Sequence, residues 1–237
     1  MAEVSSFIKG LDILRQLAPE PEGKTAAEIG ETLGIPRTTA IRFLNTLCRH
    51  NYATKQGSAY FLGPAALTIS LNYMQRSDLV RSATEACQIA ARDMAMPISF
   101  FIAGEDGVVM LARANETAGN LYDLSVGSKL NLASSAAGVA VLMERHRDLS
   151  PAGIAERYGD PRLESKIAAA RDQGYAVSQD EVTVGYTALA LPVRSDNRRG
   201  LGAFHAVYRT LPAGDPDPSR DDILAALQRA RDLFLAL

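Results

Sequence analysis

Two short helical patterns, at 25–33 and 36–50, are separated by only Gly34 and Ile35. So tight a connection makes the two helices neighbours that cross steeply, the geometry of a helix-turn-helix. The punctuation is local. Thr25 and Glu28 have the spacing of a capping box, in which each side chain satisfies an amide at the helix start. Gly34 tolerates a left-handed backbone and ends the first helix, and Pro36 suits the first turn of the next. Upstream, 4–17 places Ile8, Leu11, Leu14 and Ala18 at helical spacing, until Pro19-Glu20-Pro21-Glu22-Gly23 breaks the chain.

At about 100° per residue, Ala40, Phe43, Leu44 and Leu47 form one apolar stripe on the 36–50 helix, with Ile41 and Cys48 at its edge. Thr38, Arg42, Asn45 and Arg49 fall on the opposite side, flanked by Thr39 and Thr46. Such side chains hydrogen-bond base edges or phosphates from a helix in a major groove, although a solvated outer face has the same polarity. A hairpin follows directly: 51–55, a turn at Gln56-Gly57-Ser58, then 59–62. It has the position of a wing, and Lys55 near its tip reaches toward phosphate or the minor groove. The net charge of −2 makes the whole chain no obvious polyanion binder, but its distribution differs. None of the 27 acidic residues lies between Thr32 and Ser77, which holds Arg37, Arg42, Arg49, Lys55, Arg76 and His50.

These segments resemble the isocitrate lyase regulator (IclR) family. Leu11-Asp12-Ile13-Leu14, Ala27-Glu28-Ile29, Leu33-Gly34-Ile35-Pro36-Arg37-Thr38-Thr39 and Tyr60-Phe61-Leu62-Gly63-Pro64 follow its pattern A-L-D-I-L, L-A-E-I-A, L-G-L-P-K-S-T-V-x-R-L-L and Y-x-L-G. The resemblance implies DNA contact at Arg37, Thr38, Thr39 and Arg42. With Asn45, Arg49 and Lys55 read from the helix face and wing, these are the candidate DNA-binding residues.

Beyond residue 63 the pattern predicts a helix over 64–75, with Leu67, Leu71 and Met74 on one side. A second covers 78–94, with Leu79, Ala83, Ala86, Ile89 and Ala90 inward. The period then changes. Residues 98–103 and 108–112 flank Gly104-Glu105-Asp106-Gly107 as a hairpin, and 121–126 is a further strand candidate. Ser134-Ser135 offer caps to a small-residue helix over 136–143, and a charged helix at 162–173 ends at Gly174. Strands at 175–178, 185–193 and 201–208 precede a terminal helix with Ile223, Leu227, Ala230, Phe234 and Leu237 inward. This order gives an α+β domain with a mostly antiparallel sheet. Here too the chain is similar to the IclR family: Leu132-Ala133-Ser134-Ser135-Ala136-Ala137-Gly138 matches H-A-T-A-A-G-K. Arg171-Asp172-Gln173-Gly174-Tyr175-Ala176 matches R-x-x-G-Y-A. Asp180-Glu181, Gly185 and Ala190-Leu191-Pro192-Val193 match E-E-x-x-x-G-x-x-x-x-A-x-P-V. The resemblance implies a GAF-like effector-binding fold. Val139, where the family has Lys, and Phe204-His205-Ala206-Val207-Tyr208, where it has small residues and Ser, depart from the pattern.

Strand alternation puts Tyr186, Ala188 and Ala190 on one face and Leu189, Leu191 and Val193 on the other. The aliphatic face is expected on the core, and the Tyr-and-Ala face beside a ligand-sized hollow. His205 shares a face with Ala203 and Val207. The start of the 136 helix, capped by Ser134 or Ser135, offers amides for a carboxylate at Ala136 and Ala137. The resemblance places Tyr122, Leu130, Ala136, Ala137, Ser178, Tyr186, Ala188, His205 and Val207 around the effector. With Ser135 added, this set suits a small organic acid, aromatic acids included.

The expected organisation is a winged helix-turn-helix at 1–63, a linker helix at 64–76 and an effector-binding domain at 77–237. One winged helix contacts little DNA, so a two-fold homodimer on a pseudo-palindromic operator in double-stranded DNA is expected; the resemblance extends this to a dimer of dimers. An enzyme is disfavoured: Asp180 and Glu181, adjacent on an extended chain, point to opposite faces, and no phosphate loop, zinc spacing or nucleophile elbow is present. A winged helix serving only protein interaction is the other alternative. Cys48 and Cys87, far apart in sequence, suggest neither disulfide nor metal site. No run of about 18 apolar residues spans a membrane, and the first residues lack signal-peptide order. The expectation is a cytoplasmic protein with no cofactor.

Overall fold

In the computed structural model, which describes residues 4–18, 22–115, 124–195, 200–210 and 219–237, the chain divides into two units, Met1–Ser77 and Asp78–Leu237. The first is ordered by its caps. Helix α1 (Ser5–Leu17) leads to the short strand β1 (Lys24–Thr25) and to α2 (Ala26–Thr32). The Thr25 hydroxyl accepts from the Glu28 amide at 3.3 Å, while the Glu28 carboxylate accepts from the Thr25 amide at 2.7 Å. Gly34, at φ +61°, turns the chain into α3 (Arg37–Arg49). Gly30 makes the turn tight: a Cβ there would lie 2.9 Å from the Ile35 carbonyl oxygen, and the Ile35 amide donates to the Gly30 carbonyl at 2.9 Å. Strands β2 (Ala53–Gln56) and β3 (Ala59–Leu62) form the hairpin, and β1 pairs with β3 to complete a three-stranded sheet.

The core of this unit is Ile13, Leu17, Ala26, Ile29, Ala40, Leu44, Ala53 and Tyr60, with Phe43 and Leu47 packed against it. On α1 the inward row differs from the expected one. Ile13 and Leu17 are buried, whereas Leu11 is 39% exposed and Ala18 also faces outward. Apolar residues occur on two sides of α1, so periodicity alone does not choose between them. Helix α4 (Pro64–Arg76) then runs 13 residues without burying one, and Leu67, Leu71, Ile69 and Tyr73 stand exposed.

The second unit opens with α5 (Asp78–Met94). Next come strands β4 (Ile98–Ala103), β5 (Val108–Ala114) and β6 (Lys129–Leu130), and helices α6 (Ala136–Arg145), α7 (Pro151–Tyr158) and α8 (Arg162–Gln173). Strands β7 (Ala176–Gln179), β8 (Tyr186–Ser195) and β9 (Gly200–Arg209) and helix α9 (Arg220–Ala236) complete it. The sheet order is β6-β5-β4-β9-β8-β7, and every pairing among the described residues is antiparallel. The molecule is α+β, as the order of periodicities requires. Of the candidate strand at 121–126, residues 121–123 lie outside the described residues and 124–126 are not strand. On α5, Val80, Ala83, Ala86, Cys87 and Ala90 are buried, while Ile89, expected inward, is 40% exposed; Leu237 on α9 is likewise exposed. No helix among the described residues is long and apolar enough to cross a membrane.

Both faces of the sheet are covered. On one, Phe100 and Phe204 stack with Phe234 of α9, at ring-centroid distances of 5.0 and 5.8 Å. On the other, Ala188, Ala190, Ala203 and Val207 belong to a core shared with α6, α7 and α8. On the face expected beside a hollow, Ala190 is fully buried under helices, as is Ala203, while Tyr186 is half-buried. Small side chains on this face let α6 approach the strands closely.

Candidate functional site

Each half of the chain presents one candidate site. In the first, Arg37, Thr38, Arg42, Asn45 and Arg49 are exposed along α3, and Thr39 is half-buried. Thr39, Arg42, Asn45 and Arg49 line, with Phe43 and Thr46, an open surface cleft of ≈ 430 Å³. Arg37 and Thr38 stand at the first turn of the same helix. The face from Thr38 to Arg49 extends about 16 Å at the helical rise, enough to follow a major groove. Thr46 donates its hydroxyl hydrogen to the Arg42 carbonyl at 3.0 Å, so it supports the backbone more than it offers a donor. Lys55 is exposed on β2, its ammonium 5.3 Å from the centroid of the Tyr60 ring. That contact holds it against the hairpin without neutralising it.

In the second unit, register sorts side chains into rows across the sheet. Arg113, Ser99, His205, Ala190 and Ala176 form one row, and Val207, Ala188 and Ser178 the next; Tyr186 lies one row further, opposite Arg209. His205, Ser178, Ala188, Val207 and Tyr186 are thus brought onto one face. Accessibility grows along it: Ala190 is at 0%, His205 at 3%, Val207 at 6% and Ala188 at 8%, and Tyr186 is half-buried. The His205 imidazole meets the Phe101 ring edge-on at 5.2 Å. Burial, and after it the Arg113 charge, pushes its pKa down to about 4, so at neutral pH it is an uncharged hydrogen-bonding ring.

Helix α6 crosses this face. Ser135 is its cap: the hydroxyl accepts from the Gly138 amide at 3.0 Å and donates to the Asn131 carbonyl at 2.6 Å. The amides of Ala136 and Ala137 are first-turn groups that an α-helix does not satisfy internally, and both residues are fully buried in the same core. Leu130 belongs to that core too, but its register partner Val108 lies two rows from His205, toward the far end of the face. Tyr122 lies outside the described residues. Asp180 and Glu181 serve the loop before β8. Asp180 accepts from the Gly185 amide at 2.6 Å, and Glu181 pairs with Lys166, which also donates to the Ala133 carbonyl at 2.9 Å. Cys87 is buried and its thiol pKa is pushed up by that burial, the opposite of an activated nucleophile.

Two family models account for most of the chain: the IclR helix-turn-helix domain matches residues 6–57, and the bacterial transcriptional regulator IclR C-terminal domain matches residues 71–229. The chain belongs to the IclR family. It is 23% identical over 223 residues to the p-hydroxybenzoate hydroxylase transcriptional activator of Acinetobacter baylyi, covering 87% of this chain and 82% of that protein. Among solved structures, an IclR-family transcriptional regulator from Brucella abortus superposes with a TM-score of 0.80 at 22% identity, covering 99% of this chain and 92% of that one. An IclR homologue from Microbacterium hydrocarbonoxydans, solved with 4-hydroxybenzoate, gives 0.69 at 16% identity, covering 98% of this chain and all of that one. This IclR-family chain is a DNA-binding transcriptional regulator with a helix-turn-helix, and no enzyme.

Two polar residues on the IclR C-terminal face escape sequence reasoning, Ser99 and Arg113. Ser99 is 3% exposed and Arg113 half-buried. The available signal was an arginine closing the apolar run Val108–Ala112, where a strand should face core on both sides. Its relation to His205 needs the β5-β4-β9 order, which no local pattern states.

Proposed function

We propose that this regulator reads a pseudo-palindromic operator as a homodimer, and that a small organic acid held on the α6-covered sheet face changes its operator affinity. Residues 1–63 serve as the DNA-binding domain, 64–76 as a linker helix and 77–237 as the effector domain. Arg37, Thr38, Thr39, Arg42, Asn45 and Arg49 contact DNA from α3, and Lys55 from the wing. The carrying observation is the exposed row of Thr38, Arg42, Asn45 and Arg49 on a helix whose other side is sealed into the core. Helix α4 supports the dimer: 13 residues with no buried side chain are marginal alone, and an apolar row in a second copy covers them.

The effector class follows from the face itself, where Tyr186, Ser178, Ala188, His205 and Val207 combine an aromatic ring, small residues and hydrogen-bonding groups. Leu130 and the capped α6 start at Ser135, Ala136 and Ala137 complete the set, with Tyr122 assigned by family likeness alone. Hydroxybenzoates are the first acids to try, given the Acinetobacter relative's name and the Microbacterium ligand. The test is a gel-shift titration on the intergenic DNA beside the gene, with and without a panel of such acids. A sequence-specific shift that an acid strengthens or weakens is the expected result; binding indifferent to sequence, or to every acid, refutes the corresponding half.

A further inference from the structure

We propose that the α3 cleft seats the 5-methyl group of a thymine, so that the regulator selects an A·T pair at that point of each operator half-site. This rests on the DNA-binding reading above and names the base that the cleft recognises. Arg42, Asn45 and Arg49 are exposed in the cleft lining. Among the described residues, none of the three has a hydrogen bond or ion pair from its side chain. No acidic residue lies between Thr32 and Ser77, so no near neighbour in the chain offsets the two guanidinium charges, and the cleft suits a polyanion. Charge draws in the duplex without telling one base from another. The rest of the lining makes that distinction.

Around the α3 axis, Arg42 and Arg49 fall about 20° apart and mark the middle of the exposed face. Asn45 lies about 60° to one side of Arg42, and Thr46, Thr39 and Phe43 lie about 40°, 60° and 100° to the other. The two flanks differ in chemistry. Asn45 carries a donor and an acceptor, which match N7 and N6 of adenine. On the other flank the Thr46 hydroxyl donates to the Arg42 carbonyl at 3.0 Å, so the methyl is the group Thr46 offers to the cleft. Phe43 packs against the core of the unit and also lines the cleft, a fixed apolar wall beside Thr39 and Thr46. A phosphate gains nothing from such a wall. Thymine is the base that presents a methyl group in the major groove. An A·T pair has the same asymmetry as α3, with adenine's donor and acceptor on one strand and thymine's methyl on the other.

The test begins with the full chain selecting duplexes from a randomised pool. In the preferred duplex each thymine is then replaced singly by deoxyuridine, which removes the 5-methyl group and keeps the pairing. One thymine in each half-site should show a loss of about 4-fold, the worth of one buried methyl. Thr46→Ser keeps the hydroxyl, removes the methyl and should shrink that loss, as should Phe43→Leu. Asn45→Ala should leave the loss in place and abolish the preference for adenine over 7-deazaadenine. Cooperative thermal unfolding and sequence-independent binding at low salt identify the variants that are folded. A preferred half-site without thymine, affinity indifferent to every deoxyuridine, or a full loss persisting in both folded Thr46→Ser and Phe43→Leu overturns the thymine seat while DNA binding stands. If no sequence is enriched from the pool, the operator reading falls with it.

Discussion

Arg42 and Lys55 carry the same charge but stand on different elements of the proposed DNA-binding surface, and their substitutions should fail differently. Arg42 projects from the middle of α3 into the cleft with Asn45 and Arg49. If it reads a base edge, Arg42→Ala costs about 1–3 kcal/mol on the operator and little on unrelated DNA. Lys55, on the hairpin, is proposed to meet phosphate: Lys55→Ala should then weaken all sequences alike and lower the slope of log K against log salt. Fluorescence anisotropy on operator and scrambled duplexes at several salt concentrations separates the two, and equal losses on both duplexes for Arg42→Ala defeat base reading. His205 supports a second prediction at this scale. Its folded pKa, about 4, lies below the unfolded value near 6.5. The unfolded chain therefore takes up this proton first as pH falls. The contribution of the neutral ring is full above about pH 6.5 and is lost between there and pH 4, on the order of 3 kcal/mol in all. Urea unfolding at pH 7.5, 6 and 4.5 should show that slope in the wild type and a flatter one in His205→Gln. Parallel slopes would refute the assignment.

Among the elements, those with chemical punctuation were legible in the sequence, and those made by distant pairing were not. The capping box at Thr25, the turn at Gly34, the start of α6 at Ser135 and the end of α8 at Gly174 all stand where the residues put them. Helix α7 carried its own signals, Ser150 as cap, Pro151 in the first turn and a left-handed Gly159, but its eight residues were too few to impose a period. Strands β1 and β6 have two residues each and exist only through their partners. The rows that bring Arg113 to His205 are invisible for the same reason. Gly30 is the reverse case, a residue that looks weak and is required. In an ordinary helix interior, Gly→Ala gains nearly 1 kcal/mol. Here the new Cβ would sit 2.9 Å from the Ile35 carbonyl oxygen, at the contact that sets the α2–α3 crossing. Gly30→Ala should destabilise the helix-turn-helix unit by about 1–3 kcal/mol; a raised melting temperature would show that the turn yields at no cost.

At the scale of the whole molecule, the proposed regulation runs through a second copy and an exchange of free energy between ligands. Each unit holds its own core, and the part left without one is α4. Leu67 is exposed at 58%, Ile69 at 59%, Leu71 at 45% and Tyr73 at 49%, and in the proposed dimer a second copy covers them. Leu67→Glu combined with Leu71→Glu should convert a dimer at micromolar concentration to a monomer in light scattering. Operator affinity should fall by more than any single contact explains, because two half-sites are no longer bound together. Acid binding should survive, since the C-terminal core does not include these residues. That combination permits a stricter test. If the acid shifts operator affinity of the dimer by a factor α, the operator must shift acid affinity by the same factor. The coupling is expected at about 1–3 kcal/mol, within reach of calorimetry with and without saturating operator. In the α4 variant acid affinity should no longer depend on DNA. Unequal factors in the dimer would mean that the acid acts on some other equilibrium, and a DNA-dependent affinity persisting in the monomer would place the coupling within one chain and remove α4 from it.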